Sequence, residues 1–151
     1  MRKGFWFFGY SGCGKTFASK FLKKKIKKSV IIDGDKVRKY ISYDLSYTKK
    51  DRSIQIERVY GLALILIEQD IFPIISTVFF NNKIYKECKK LNITPIKIER
   101  SNIKSIISNH PTYKNKKNIV GKDIFYEKMR IRKITNDGSK NFCKVISSLI
   151  L

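Results

Sequence analysis

The sequence predicts an α/β domain in which a parallel sheet carries helices on both faces. Two observations lead there. Strand-like and helix-like segments alternate along the 151 residues, the signature of a parallel sheet with crossover helices. Residues 9 to 16 read Gly-Tyr-Ser-Gly-Cys-Gly-Lys-Thr, the phosphate-binding pattern G-x-x-x-x-G-K-[ST], between a strand-like run and a helical pattern. With 42% hydrophobic residues the chain can fill a core. No repeat or linker divides it, so residues 1–151 read as a single domain.

Gly4 to Phe8 is a short aromatic run of strand type. Thr16 to Leu22 follows as a helix with Phe17, Phe21 and Leu22 on one side, closed by the lysines at 23, 24, 25, 27 and 28 near its negative end. Ser29 to Ile32 is a second strand ending at Asp33. Asp35 is a candidate cap for a short helix to about Ile41. After a polar loop, Ser42 to Lys50, a long helix runs from Asp51 to about Gln69. Pro73 to Phe79 is continuously apolar, as a central parallel strand should be. Asn82 to Leu91 reads as helix, Ile93 to Ile98 as a fourth strand and Asn102 to Ile107 as a brief helix. The basic, polar stretch around 109–123 reads as a loop or short lid. Met129 to Thr135 is a last strand and Ser139 to Leu151 a closing helix.

The net charge of +21, from 33 basic and 12 acidic side chains, favours anionic partners. Lys, Ile and Asn share A/T-rich codons, so much of the lysine is attributable to codon bias on solvated faces, and no nucleic-acid recognition motif accompanies it. Three cysteines without framework spacing argue against a disulfide scaffold, and no Cys/His cluster suggests zinc. The single histidine, His110, sits beside Pro111 and reads as a surface loop residue. Met1 to Tyr10 is too short for a signal peptide, and Gly61 to Phe80 is broken by Glu68, Gln69, Asp70 and Pro73. A membrane span is not expected, and the expected compartment is the cytoplasm.

In the phosphate loop, Gly9, Gly12 and Gly14 let the backbone wrap around phosphate oxygens, with Ser11 and Cys13 between them. Lys15 can reach the β- and γ-phosphates of a nucleotide such as ATP, and the Thr16 hydroxyl can ligate Mg²⁺. Asp33-Gly34-Asp35-Lys36-Val37-Arg38 ends the second strand, on the edge that faces the γ-phosphate. A carboxylate there can orient metal-bound water or accept a proton from an attacking hydroxyl. Lys15, Asp33 and Asp35 are therefore the candidate catalytic residues, with either aspartate eligible as the base. Thr16, and Asp33 through water, are the candidate Mg²⁺ ligands.

These segments, with Asp44-Leu45-Ser46-Tyr47-Thr48-x-x-Asp51-Arg52, resemble the adenylylsulfate kinase family, whose patterns include D-G-D-x-V-R and D-L-G-F-S-x-x-D-R. Gly121-Lys122-Asp123-Ile124-Phe125-Tyr126-Glu127 is a weaker echo of its G-I-D-D-P-Y-E. The resemblance implies a P-loop kinase fold and transfer of the ATP γ-phosphate to the ribose 3′-hydroxyl of a small anionic nucleotide. It implies Arg38 and Arg52 on the acceptor's anionic group, Tyr47 stacked on its base, and Asp35, Gln55, Ile119 and Lys122 also on the acceptor side. Family members are often dimers, so a homodimer is among the expectations.

The departures fall on the acceptor side. Gln55 replaces an asparagine, Ile119 a stacking phenylalanine, and an I-S-P segment is lost around Val78, Phe79 and Phe80. A lid arginine is missing near Asn109-His110-Pro111-Thr112-Tyr113, where Lys114, Lys116 and Lys117 could supply charge. These changes lead to the expectation of an altered acceptor, cytidine diphosphoramidate as in capsule phosphoramidate synthesis, with adenylyl sulfate as the alternative. A GTPase is disfavoured, since Asn136-Asp137-Gly138 is a poor N-K-x-D. A nucleic-acid-linked or non-catalytic nucleotide-binding protein completes the alternatives.

Overall fold

The computed structural model describes residues 1–114 and 116–150. The expected last helical residue, Leu151, and Asn115 of the lid lie outside them. Strands β1 (Gly4–Phe8), β2 (Ser29–Asp33), β3 (Phe72–Thr77), β4 (Ile93–Arg100) and β5 (Arg132–Asn136) form one parallel sheet in the order β2-β3-β1-β4-β5. Between them run α1 (Lys15–Lys23), α2 (Gly34–Tyr40), α3 (Lys49–Glu68), α4 (Asn82–Lys90) and α5 (Ile103–Asn109), and α6 (Lys140–Ser147) follows β5. Single helical turns follow at Pro111–Tyr113 and Ser148–Ile150.

Burial on both faces explains the apolar strands. Along β1, Phe5 and Phe7 point into a core with Ala18, Leu22, Ile96, Phe142 and Ile146, covered by α1 and α6. Trp6 and Phe8 point the other way, among Ile56, Val59, Ala63, Ile75, Phe80 and Ile84, covered by α3 and α4. All four β1 aromatics are buried, which makes this strand the centre of both cores.

Three details differ from expectation. Phe17 does not face the core: it is 52% exposed, and α1 buries Ala18, Ser19 and Leu22 instead, because the loop sets the helix rotation. Helix α2 is capped by Asp33, not Asp35. The Asp33 carboxylate accepts from the Asp35 and Lys36 amides at 2.9 and 3.4 Å. The last strand begins at Arg132, as residues 127–131 run free of the sheet. Among the described residues no helix is long and apolar enough to cross a membrane.

Candidate active site

The carboxyl ends of β1, β2 and β3 open into a cleft of about 790 Å³. Ser11, Gly12, Gly14, Lys15 and Thr16 form one wall. Asp33, Asp35, Arg38, Tyr47, Arg52 and Gln55 form the other, and Ile119 closes it from the lid. Ligands of open α/β sheets bind at this edge.

The loop between β1 and α1 is shaped by its neighbours. Gly14 has φ 97°, and a Cβ there would collide with the Asn136 amide nitrogen; at Gly9, φ 154°, a Cβ would collide with the Ile98 carbonyl. Asn136, at the end of β5, donates to the Cys13 carbonyl at 3.1 Å and accepts from the Gly138 amide at 2.9 Å. It thus clamps the loop from beneath. Helix α1 starts at Gly14 without a side-chain cap, which leaves its first amides free for an anion.

Lys15 is 7% exposed and its Nζ donates to the Tyr10 carbonyl at 2.8 Å. Burial pushes its ammonium down to about 8, although Asp35 and Asp33 favour the charge. Thr16 and Asp33 offer hard oxygen donors on the cleft, with one Asp33 oxygen engaged in the α2 cap. That set suits Mg²⁺, which is commonly held by few protein ligands together with phosphates and water. Among the described residues no cluster of three His, Cys, Asp or Glu could hold a metal by itself.

Residues 44–52 form a brace. Asp44 pairs with Arg58 through two oxygens at 2.6 and 2.7 Å. Asp51 accepts from the Ser46 amide and hydroxyl, which holds its carboxyl below the usual range. Thr48 caps α3 by accepting from Asp51 N at 3.1 Å. The brace presents Tyr47 with the Arg38 and Arg52 guanidinium carbons 4.5 and 5.3 Å from its ring centre. Arg52 also donates to Tyr47 O at 3.1 Å and to the lid carbonyl of Asn118 at 2.9 Å. Burial first, and then the neighbouring Arg38, lower the Arg52 pKa, and among the described residues neither guanidinium forms an ion pair with a carboxylate. The lid is further held by Tyr113, whose hydroxyl donates to Ser11 O at 3.2 Å, and by Tyr126, which donates to Val78 O at 2.6 Å.

Of the residues expected at the site, Ser11, Gly12, Gly14, Lys15, Thr16, Asp33, Asp35, Arg38, Tyr47, Arg52, Gln55 and Ile119 share this cleft. Gly9, Cys13 and Lys122 do not line it. Gly9 sits behind the loop against β4, and the Cys13 side chain is buried among Ala18, Ile98 and Phe142, where burial pushes its thiol up. Lys122 lies on an exposed turn. Of the lid lysines, Lys116 and Lys117 reach the cleft wall and Lys114 does not. The sequence reading missed two residues. His110 is half-buried on the cleft beside Gly12, not on an outer loop. Asn136 acts through the Cys13 backbone, and only the order of β5 in the sheet reveals it.

A glycine loop at the head of a parallel sheet, with a buried lysine and an uncapped helix start, defines a P-loop nucleotide-binding protein. Residues 2–113 match the family model described as adenylylsulphate kinase. The chain belongs to the adenylylsulphate kinase family. It is 35% identical over 77 residues to the adenylyl-sulfate kinase of Halothermothrix orenii, a stretch of 48% of this chain and 42% of that protein. It is 32% identical over 89 residues to the adenylyl-sulfate kinase of Picosynechococcus, covering 56% of this chain and 50% of that one. The matched stretches therefore span half or less of these relatives. In fold it is similar to the APS kinase CysC of Mycobacterium tuberculosis in complex with AMPPNP and APS, with a TM-score of 0.81, 18% identity, and coverage of 99% of this chain and 95% of that one. A hexameric APS kinase from Thiobacillus denitrificans gives a TM-score of 0.66 at 16% identity, covering 99% of this chain and 28% of that one.

Proposed function

We propose that the protein is an ATP-dependent kinase that transfers the γ-phosphoryl group to a ribose hydroxyl, the 3′, of a small anionic nucleotide, with adenylyl sulfate as the acceptor. The observation that carries this reading is the convergence on one cleft of Lys15 and Thr16 with Asp33, Asp35, Arg38 and Arg52. The relatives favour adenylyl sulfate over the cytidine diphosphoramidate expected from the sequence departures. One observation keeps the cytidine compound as a second reading: at the lid position where the family's stacking phenylalanine is expected, the cleft is lined by Ile119, 4% exposed, which offers an adenine no aromatic face.

The free α1 amides and Lys15 bind the β- and γ-phosphates. A magnesium ion held by Thr16, and by Asp33 through water, would neutralise charge on those phosphates. Arg38 and Arg52 hold the acceptor's anionic group between their guanidinium groups. Asp33 is occupied with the α2 cap, whereas Asp35 is exposed and has no cap to hold, so Asp35 is the base. As the acceptor oxygen forms its bond to phosphorus, its proton passes to Asp35. The bond from phosphorus to the β,γ-bridging oxygen breaks, and ADP leaves. The brace over 44–52 and the lid position the acceptor and exclude water.

The test is a coupled ADP-release assay with Mg-ATP and each acceptor offered separately. Higher kcat/KM with adenylyl sulfate supports the main reading. Turnover with cytidine diphosphoramidate alone would replace it by the second, and no acceptor-dependent ADP release would refute both.

A further inference from the structure

The turn at Pro111–Tyr113 docks on the phosphate loop, and His110 stands at the junction. The Tyr113 hydroxyl donates to Ser11 O at 3.2 Å, and Ile106, one helical turn before His110, lies against Gly12. The His110 side chain caps the turn: its Nδ1 accepts from the Thr112 amide at 3.3 Å. An amide N–H only donates, so Nδ1 presents its lone pair and the neutral ring keeps its proton on Nε2.

The other edge of the ring faces the loop. A Cβ on Gly12 would lie 3.4 Å from Cδ2, the carbon bonded to Nε2. Nε2 itself has no hydrogen-bond partner among the described residues. It is not one of the buried orphan atoms either, which are the hydroxyls of Ser19 and Ser42 and Oε1 of Gln55. It is therefore an accessible donor, on a residue that lines the cleft beside Ser11 and Gly12. The mechanism above leaves this donor unused. What arrives beside Gly12 follows from the chemistry of the loop. Its backbone amides cradle the inner phosphates of a nucleotide, and its lysine reaches on to the γ-phosphate. A donor on the rim at Gly12 thus meets the β-phosphate. That group gains charge as its bridging oxygen parts from the γ-phosphorus, and hydrogen bonds to charged oxygens are the strong ones.

We infer that His110 is a nucleotide-binding residue whose Nε2–H donates to a β-phosphate oxygen of ATP, and of the ADP that forms, from the lid side of the loop. The inference rests on the kinase reading above for the identity of the nucleotide, and it is indifferent to the acceptor.

Two substitutions separate the two edges of the ring. His110→Asn sets an oxygen as many bonds from Cβ as Nδ1, so it keeps the cap on Thr112 and loses the phosphate donor. His110→Gln sets an amide nitrogen as many bonds out as Nε2, so it keeps the donor and gives up the cap. In calorimetric titration with Mg-ADP, His110→Asn should bind about tenfold more weakly than the wild type, and His110→Gln within about threefold of it. A merely structural role predicts the opposite order. Any other order, equal losses included, overturns the inference, as does a wild type that binds no ADP. The wild type also supplies a readout of its own. His110 is the single histidine of the chain, so untagged protein labelled at both imidazole nitrogens reports one ring by NMR. The proton should sit on Nε2, and the Nε2 resonance should move further with Mg-ADP than with AMP, which lacks the β-phosphate. A proton on Nδ1, or an Nε2 resonance that Mg-ADP leaves in place, overturns the inference whether or not the variants fold. The expected order of ADP affinities without phosphoryl transfer to any acceptor would sink the kinase reading and spare the role of His110. Phosphoryl transfer with undiminished ADP affinity in His110→Asn would do the reverse.

Discussion

Replacing Lys15 by methionine should abolish turnover and yet stabilise the fold at neutral pH. The ammonium, ordinarily at 10.5, is pushed down to about 8 by burial. A base whose folded pKa lies below its unfolded pKa is a cost to folding. The cost is complete below pH 8, fades as pH rises towards 10.5, and vanishes above it. At about 1.4 kcal/mol per pH unit it amounts to roughly 3 kcal/mol at pH 7. Methionine removes it and forfeits the bond to the Tyr10 carbonyl, worth about 1.5 kcal/mol or somewhat more. A net gain of about 1 kcal/mol should remain at pH 7. The advantage should shrink by about 2 kcal/mol between pH 7 and pH 9.5, as the wild-type lysine sheds its proton. Urea unfolding of both proteins at the two pH values gives the difference directly, and titrations common to both cancel. A variant less stable than wild type by more than 1 kcal/mol at pH 7, or a gap unchanged with pH, would refute the claim that Lys15 is held against its charge. Phosphate loops keep such a lysine because an arriving phosphate restores the charge that burial penalises.

Two further predictions follow from the clamps on either side of the cleft. Arg52→Ala should raise the acceptor KM by about tenfold or more while ATP affinity stays within about twofold, and Arg52→Lys should not restore it, because an ammonium cannot serve the acceptor anion, Tyr47 O and Asn118 O as a planar fork does; a collapse of ATP affinity in steady-state kinetics would contradict the acceptor role. Asn136→Ala strands the Cys13 carbonyl, so it should cost about 1–3 kcal/mol in thermal or urea unfolding and weaken ATP binding in calorimetry; wild-type ATP affinity would show that the loop holds its shape unaided.

The chain announces its fold because apolar strands buried on both faces cannot alternate, and Gly4–Phe8 and Pro73–Phe79 read as strands for that reason, the latter forming β3 over Phe72–Thr77. The phosphate loop is legible because its chemistry is local: glycines, lysine and threonine act within one turn of chain. Asp33 and Asp35 were visible as a pair, but their division of labour was not. It depends on which carboxylate is turned back to cap α2. Phe17 was misplaced because an aromatic at helical spacing suggests a buried face, while the rotation of α1 is set by the loop before it. Lys122 shared a motif with Tyr126, yet the turn carries its side chain to the surface while the Tyr126 phenol reaches inward to Val78. Asn136 and His110 were out of reach because what they do lies across the sheet or the lid. Asn136 is 123 residues from its partner carbonyl in sequence. The motif over 44–52 suggested binding chemistry, yet most of its polar residues hold the loop, and only Tyr47 and Arg52 reach the cleft.

The central claim is that one cleft passes a phosphoryl group from ATP to a nucleotide hydroxyl with Asp35 as base. Mass spectrometry of the acceptor after incubation with Mg-ATP and the wild type, or with Asp35→Asn, tests it most directly. The expected result is that adenylyl sulfate gains a single phosphoryl group on its ribose with the wild type, and that Asp35→Asn, still able to bind ATP, leaves it unmodified. An acceptor unchanged by the wild type, or phosphorylated equally well by Asp35→Asn, would contradict the account.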